Sequence, residues 1–149
     1  MLTYQDLIDG ICAMMREIFP KMTAYIEECP KDFERPSYYL ELKKWDCKPA
    51  ARWLVECDVE FLLQCTAEHD EHDRPDKRQL TDMQARIMSK LSTGKLPVKD
   101  RQLNISQTIK EAGPNVLSMT LTIHYMDDTD EARPEYQKIS SVETKIEGG

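Results

Sequence analysis

The stretch Trp53-Leu54-Val55-Glu56-Cys57-Asp58-Val59-Glu60-Phe61-Leu62-Leu63-Gln64-Cys65 decides the fold. Each odd position is apolar: Trp53, Val55, Cys57, Val59, Phe61, Leu63 and Cys65. A two-residue period of this kind gathers its apolar side chains on one face only if the backbone is extended. The opposite face carries Glu56, Asp58 and Glu60 through its middle. The stretch therefore reads as a long strand of an antiparallel sheet, buried on one side and polar on the other.

Upstream, Tyr38, Leu40 and Leu42 alternate with Tyr39, Glu41 and Lys43, and Cys47-Lys48-Pro49-Ala50 interrupts the run. This predicts a hairpin. With the turn between Asp46 and Ala51, Leu42 faces Val55, Leu40 faces Cys57 and Tyr38 faces Val59, so the two apolar faces coincide. A slip of one residue would set them against Glu56, Asp58 and Glu60.

Downstream, Leu117, Met119, Leu121, Ile123 and Tyr125 repeat the same period, with Ser118, Thr120, Thr122 and His124 outward. A weaker strand is expected between Leu96 and Lys110, where Leu103 and Ile105 alternate, and a turn at Ala112-Gly113-Pro114-Asn115. A short edge strand is expected over Thr23 to Glu28, with Ala24 and Ile26 inward.

Two helices complete the set. Thr3 and Asp6 have the spacing of a capping box, and Leu7, Ile8, Ile11, Met14, Met15 and Ile18 then recur at helical spacing up to Phe19-Pro20. Gly10 either weakens this helix or lets it pack closely on the sheet. A second helix starts near Asp76, with Leu80, Met83, Ile87 and Leu91 on one stripe and Gly94 as its stop. The expected fold is thus α/β of the α+β kind. It has a mainly antiparallel sheet of about four to five strands and two helices on one face, in the order α-β-β-β-α-β-β.

At 149 residues the chain suffices for one domain with its own core, here placed over residues 1–126. From Asp127 to Gly149 there are three basic and seven acidic residues and little apolar content. That composition describes an acidic tail, flexible or ordering on a partner; Tyr136, Ile139, Val142 and Ile146 fall at helical spacing. With 20 Lys and Arg against 27 Asp and Glu, a net charge of -7 argues against nucleic acid as the main partner. Cys12, Cys29, Cys47, Cys57 and Cys65 are odd in number and form no CxxC pair, so free thiols in a reducing cytosol are expected. The apolar runs are too short for a membrane span, and no basic segment leads into an apolar one as in a signal peptide. A soluble protein is expected.

Motifs for chemistry are few. Glu68-His69-Asp70-Glu71-His72-Asp73 holds two histidines among four acids. The spacing is not that of a zinc hydrolase, so a solvated loop is expected and no metal site. There is no GxSxG, GxGxxG or P-loop, and no catalytic residue or cofactor is assigned. Glu56, Asp58 and Glu60 would suit an acid pair but lack a cleft, and read as a solvated or subunit-facing surface. Trp45 and Trp53 flank the hairpin tip among Lys43, Lys44, Lys48 and Arg52. They either form a docking surface or cover the core.

The order of elements, with Phe19-Pro20, Phe33-Glu34-Arg35-Pro36-Ser37-Tyr38-Tyr39, the long alternating strand and a last strand ending in Ile123-His124-Tyr125, resembles the tail terminator (tail completion) proteins of long-tailed bacteriophages and prophages. The resemblance spans Leu2 to Met126. It implies a non-enzymatic subunit that assembles into a ring, typically a hexamer. Such a ring would cap the tail tube, stop its polymerisation and face the head-tail connector, first in the host cytoplasm and then in the virion tail. Lys43, Trp45, Arg52, Glu56, Asp58 and Glu60 are the expected interface residues. The competing readings are a head-tail connector or stopper, a small metal-dependent enzyme using the Glu68 to Asp73 cluster, and an acidic inhibitor.

Overall fold

The computed structural model describes residues 2–69, 72, 74–111 and 116–128. Helix α1 spans Tyr4–Ile18, and strands β1, Thr23–Ile26, β2, Ser37–Ala51, and β3, Leu54–Thr66, follow. Helix α2 covers Lys77–Lys90 and runs into a single 3-10 turn, Leu91–Thr93. Strands β4, Lys95–Val98, β5, Arg101–Glu111, and β6, Leu117–Asp128, complete one sheet in the order β1-β2-β3-β6-β5-β4. The fold is α+β, with antiparallel pairing throughout except for β1, which lies parallel to β2.

Local chemistry accounts for the helix ends. The capping box forms as expected: Asp6 N–H donates to Thr3 Oγ1 (3.1 Å) and Thr3 N–H donates to the Asp6 carboxylate (2.9 Å). In α2 the Asp76 carboxylate accepts from the N–H groups of Arg78 and Gln79. Gly94, at φ 72°, ends the 3-10 turn in the left-handed region that glycine tolerates.

The core lies between the helices and one sheet face. Cys57, Val59, Phe61, Leu63 and Cys65 of β3 meet Leu117, Met119, Leu121, Ile123 and Tyr125 of β6, in a register that sets Phe61 opposite Leu121. From α1 come Leu7, Ile8, Ile11, Met14 and Met15, and from α2 Leu80, Met83 and Ile87. Helix α1 packs over β4, and Gly10 is where they touch. A Cβ at residue 10 would stand 2.8 Å from Val98 Cγ2 and 3.1 Å from the Pro97 carbonyl oxygen.

The sheet departs from the sequence reading in five ways. The turn of the β2–β3 hairpin falls at Arg52-Trp53, and β2 runs straight through Cys47-Lys48-Pro49-Ala50. Leu42 therefore pairs with Phe61 rather than Val55, Leu40 with Leu63 and Tyr38 with Cys65. The shift is even, so the faces are preserved, and the longer ladder pairs far more backbone. Pro49 is tolerated because β1 has already ended and, among the described residues, β2 has no outer neighbour there.

Second, an extra residue at Lys43 makes a bulge, with Leu42 opposite Phe61 and Lys44 opposite Glu60. The bulge reverses the parity of β2, so Trp45 and Cys47 follow Leu42 on the core side. Third, Leu96 to Lys110 is two strands joined at Lys99-Asp100, which among the described residues raises the strand count to six and the order to α-β-β-β-α-β-β-β. Fourth, Ala24 is exposed, whereas Ile26 packs on the core. Fifth, the bulge brings Cys47 directly opposite Cys57, and the two are joined as a disulfide; Cys12, Cys29 and Cys65 are free thiols.

β6 continues through Asp127 and Asp128, the first two residues of the acidic stretch. Asp127 is buried and accepts from Leu2 N–H (2.6 Å) and Asp128 N–H (2.9 Å), with Arg101 at 3.3 Å. It ties the start of the chain to the end of the sheet. Residues 129–149 lie outside the described residues.

Candidate interface on the distal hairpin

Among the described residues, the β2–β3 hairpin has no strand on its β2 side beyond Leu42, and at Tyr125–Asp128 β6 has no β5 partner. The six expected interface residues all fall on this part of the molecule. The bulge distributes them over different surfaces. Glu56, Asp58 and Glu60 share the outer face of β3, away from the helices. Trp45 lies on the core side, half-buried, opposite Val59. Lys43 occupies the bulge and pairs with Glu41 at 3.1 Å. Arg52 is exposed in the turn, its guanidinium 5.1 Å from the Trp53 ring centroid.

The outer face is a ladder of charges. Across β2 and β3, Lys44 stands opposite Glu60, Asp46 opposite Asp58, and Lys48 opposite Glu56. Lys48 Nζ is 3.7 Å from Glu56, and Lys44 Nζ turns to Asp46 at 3.4 Å. From β6, His124 enters between two acids, with Nδ1 at 2.7 Å from Asp58 and Nε2 at 3.3 Å from Glu56. His124 is on the polar face, as its place in the alternation implies. Its two carboxylate partners could be found only from the β3–β6 register, which sets it directly opposite Asp58.

At the base of the hairpin Glu27, at φ 64°, takes the chain away from the sheet edge. Its carboxylate accepts from Leu42 N–H (2.9 Å) and from the Tyr4 hydroxyl (2.7 Å). The first of these bonds fills the edge position that a longer β1 would have filled. Burial, and then the bond to Glu27, push Tyr4 up to about 12. Tyr39 donates to Glu41 at 2.7 Å; burial and this bond push it up to about 12, and the same bond, with Lys43, holds Glu41 below its ordinary range.

Elsewhere, a cavity of about 420 Å³ between α1, the end of α2 and β4 has Gly10, Met14, Glu17, Lys90 and Pro97 in its walls. It holds no His, Cys or Asp, and Glu17 and Lys90 pair at 2.7 Å. Among the described residues no group of three or more His, Cys, Asp or Glu is placed to hold a metal ion. His69 bridges to Pro75, whereas Asp70, Glu71 and Asp73 lie outside the described residues. No helix among the described residues is long and apolar enough to cross a membrane.

A family model described as phage tail terminator protein matches residues 6–135. The match takes in α1 from Asp6 onward, α2 and the six described strands, and the chain belongs to that family. No curated protein gives a match.

Proposed function

We propose that this member of the phage tail terminator family assembles with copies of itself, as a hexamer, into a ring that caps the tail tube, stops tube polymerisation and offers a surface for head attachment. The family match over residues 6–135 carries the reading. The family is structural, so the activity is sought in surface complementarity rather than in catalysis. The distal hairpin offers such a surface: Glu56, Asp58, Glu60 and Asp46 share its outer face with Lys44, Lys48 and His124. A mixed ladder of this kind fixes orientation and excludes wrong partners more than it adds affinity.

The test is deletion of the gene from its phage or prophage and electron microscopy of the tails. Overlong tubes are expected. Tails of normal length that join heads would overturn the reading, and normal free tails beside full heads would assign the chain to the head-tail connector instead. Charge reversal at Glu56 and Asp58 with assembly intact would remove the hairpin's outer face as the contact surface.

A further inference from the structure

The bulge at Lys43 sets Cys47 of β2 directly opposite Cys57 of β3, and the two are joined as a disulfide. Their sulfurs are not equivalent. Cys57 is fully buried between β2 and β6, whereas Cys47 is exposed on a stretch of β2 that, among the described residues, has no outer neighbour. Thiol–disulfide exchange proceeds by attack of a thiolate on a sulfur, and access decides which sulfur is attacked. A small thiol or disulfide in solution therefore meets the pair at Cys47. Cys65, buried on the same face of β3, has no thiol opposite it: its neighbours in the ladder are Tyr38 on β2 and Leu117 on β6.

The surroundings show what the bond holds. From Lys44 to Ala51, among the described residues, β2 is paired on its β3 side alone. Beside the cysteines Asp46 stands opposite Asp58, a like-charge pair that weakens an antiparallel ladder. Lys44 turns to Asp46 at 3.4 Å and His124 to Asp58 at 2.7 Å, which offsets some of the repulsion. A one-sided segment with opposed acids opens easily unless it is cross-linked, and this segment carries Asp46 and Lys48 of the charged outer face.

We propose that Cys47 and Cys57 form a thiol–disulfide switch that exchanges through Cys47 with small thiols and disulfides of the glutathione kind, and that its closure locks the distal hairpin in register. In closing, the Cys47 thiolate attacks one sulfur of the small disulfide and expels a thiolate, which leaves a mixed disulfide on Cys47. The Cys57 thiol gives its proton to solvent, and its sulfur attacks the Cys47 sulfur and expels the second thiolate. The two protein thiols lose two electrons and two protons, and the small disulfide takes them up as two thiols. Opening is the reverse, with the incoming thiolate bound to Cys47 and Cys57 as the leaving group. A reducing cytosol holds the pair open and an oxidising medium closes it. The inference rests on the fold and not on the ring.

The full-length chain, equilibrated in mixtures of reduced and oxidised glutathione, quenched by alkylation and read by peptide mass mapping, tests this. The pair is expected to pass from thiols to disulfide as one two-electron couple within the range of these mixtures. Cys57→Ser is expected to accumulate glutathione on Cys47, and Cys47→Ser to carry none on Cys57; the buried Cys65 thiol, left unlabelled, marks the folded protein in each variant. The Cα atoms of Cys47 and Cys57 are 4.2 Å apart, the spacing of a non-hydrogen-bonded pair, so Asp46 with Asp58 and Lys48 with Glu56 form the adjacent hydrogen-bonded pairs. In the unaltered chain these four amides are expected to exchange with solvent at least about tenfold more slowly in the disulfide form than in the reduced form, read by NMR. A disulfide that survives fully reduced glutathione, or thiols that survive fully oxidised glutathione, would overturn the switch. Adducts forming on Cys57 as fast as on Cys47 would overturn entry through Cys47, and equal amide exchange in the two forms would overturn the lock.

Discussion

Gly10 offers the sharpest test of how α1 sits on the sheet. In an isolated helix Gly→Ala is stabilising by about 1 kcal/mol, because alanine gives up less backbone freedom. Here the new methyl would stand 2.8 Å from Val98 Cγ2 and 3.1 Å from the Pro97 oxygen. Neither yields easily. Val98 is β-branched and buried in β4, and the Pro97 carbonyl belongs to a backbone paired with β5. Overpacking of this sort costs about 1–3 kcal/mol, so the expected net effect of Gly10→Ala is destabilisation by about 1 kcal/mol. In urea unfolding the midpoint falls with an unchanged m-value, and the melting temperature drops by about 2–4 °C for a chain of this size. The reasoning has an internal control in Val98→Ala, which removes the nearer atom. In that background Gly10→Ala becomes neutral or stabilising, and the coupling appears in the double-mutant cycle. A Gly10→Ala protein more stable than the parent, or the same change in both backgrounds, would refute the close approach.

Other expectations follow from buried or bonded groups. Asp127→Asn leaves Arg101 without its anionic partner beside a buried site and weakens the anchor of Leu2; a loss of about 2 kcal/mol is expected in chemical denaturation, discounted because Arg101 is a third exposed. The Thr3 backbone N–H, and then the Lys99 ammonium, hold the Asp6 carboxyl below its ordinary range. Its contribution is therefore complete above the unfolded-state value and is lost as the pH falls through the depressed folded-state value. The stability gap between parent and Asp6→Asn should accordingly be open at neutral pH and close in acid. Tyr4 and Tyr39 ionise at about 12, so absorbance titration to pH 11 should leave both neutral in the folded chain, with Tyr4→Phe removing one of the late titrations. Burial pushes the Cys65 thiol up to about 12, and alkylation at pH 8 should label exposed Cys29 while sparing Cys65 until the protein unfolds.

Much of this molecule was legible because its strongest signals are local. The two-residue period of β3 and β6, the capping box at Thr3 and Asp6, the stripe from Leu80 to Leu91 and the stop at Gly94 depend on neighbours within a turn or along one strand. Those signals fixed the elements and their buried faces. They also placed Glu56, Asp58, Glu60 and His124 on polar faces, since alternation alone assigns the side.

What the tertiary structure decided was register, which no single strand encodes. Leu42 opposite Val55 and Leu42 opposite Phe61 satisfy the same hydrophobic pattern, because an even shift changes partners without changing faces. Only the whole ladder, closed by a two-residue turn at Arg52-Trp53, distinguishes them. The Lys43 bulge likewise has no signature in the alternation, yet it places Trp45 on the core side, brings Cys47 to Cys57 and sets Lys44, Asp46 and Lys48 facing Glu60, Asp58 and Glu56. The candidate interface is a product of long-range pairing between strands, and its charges meet only after the chain has folded.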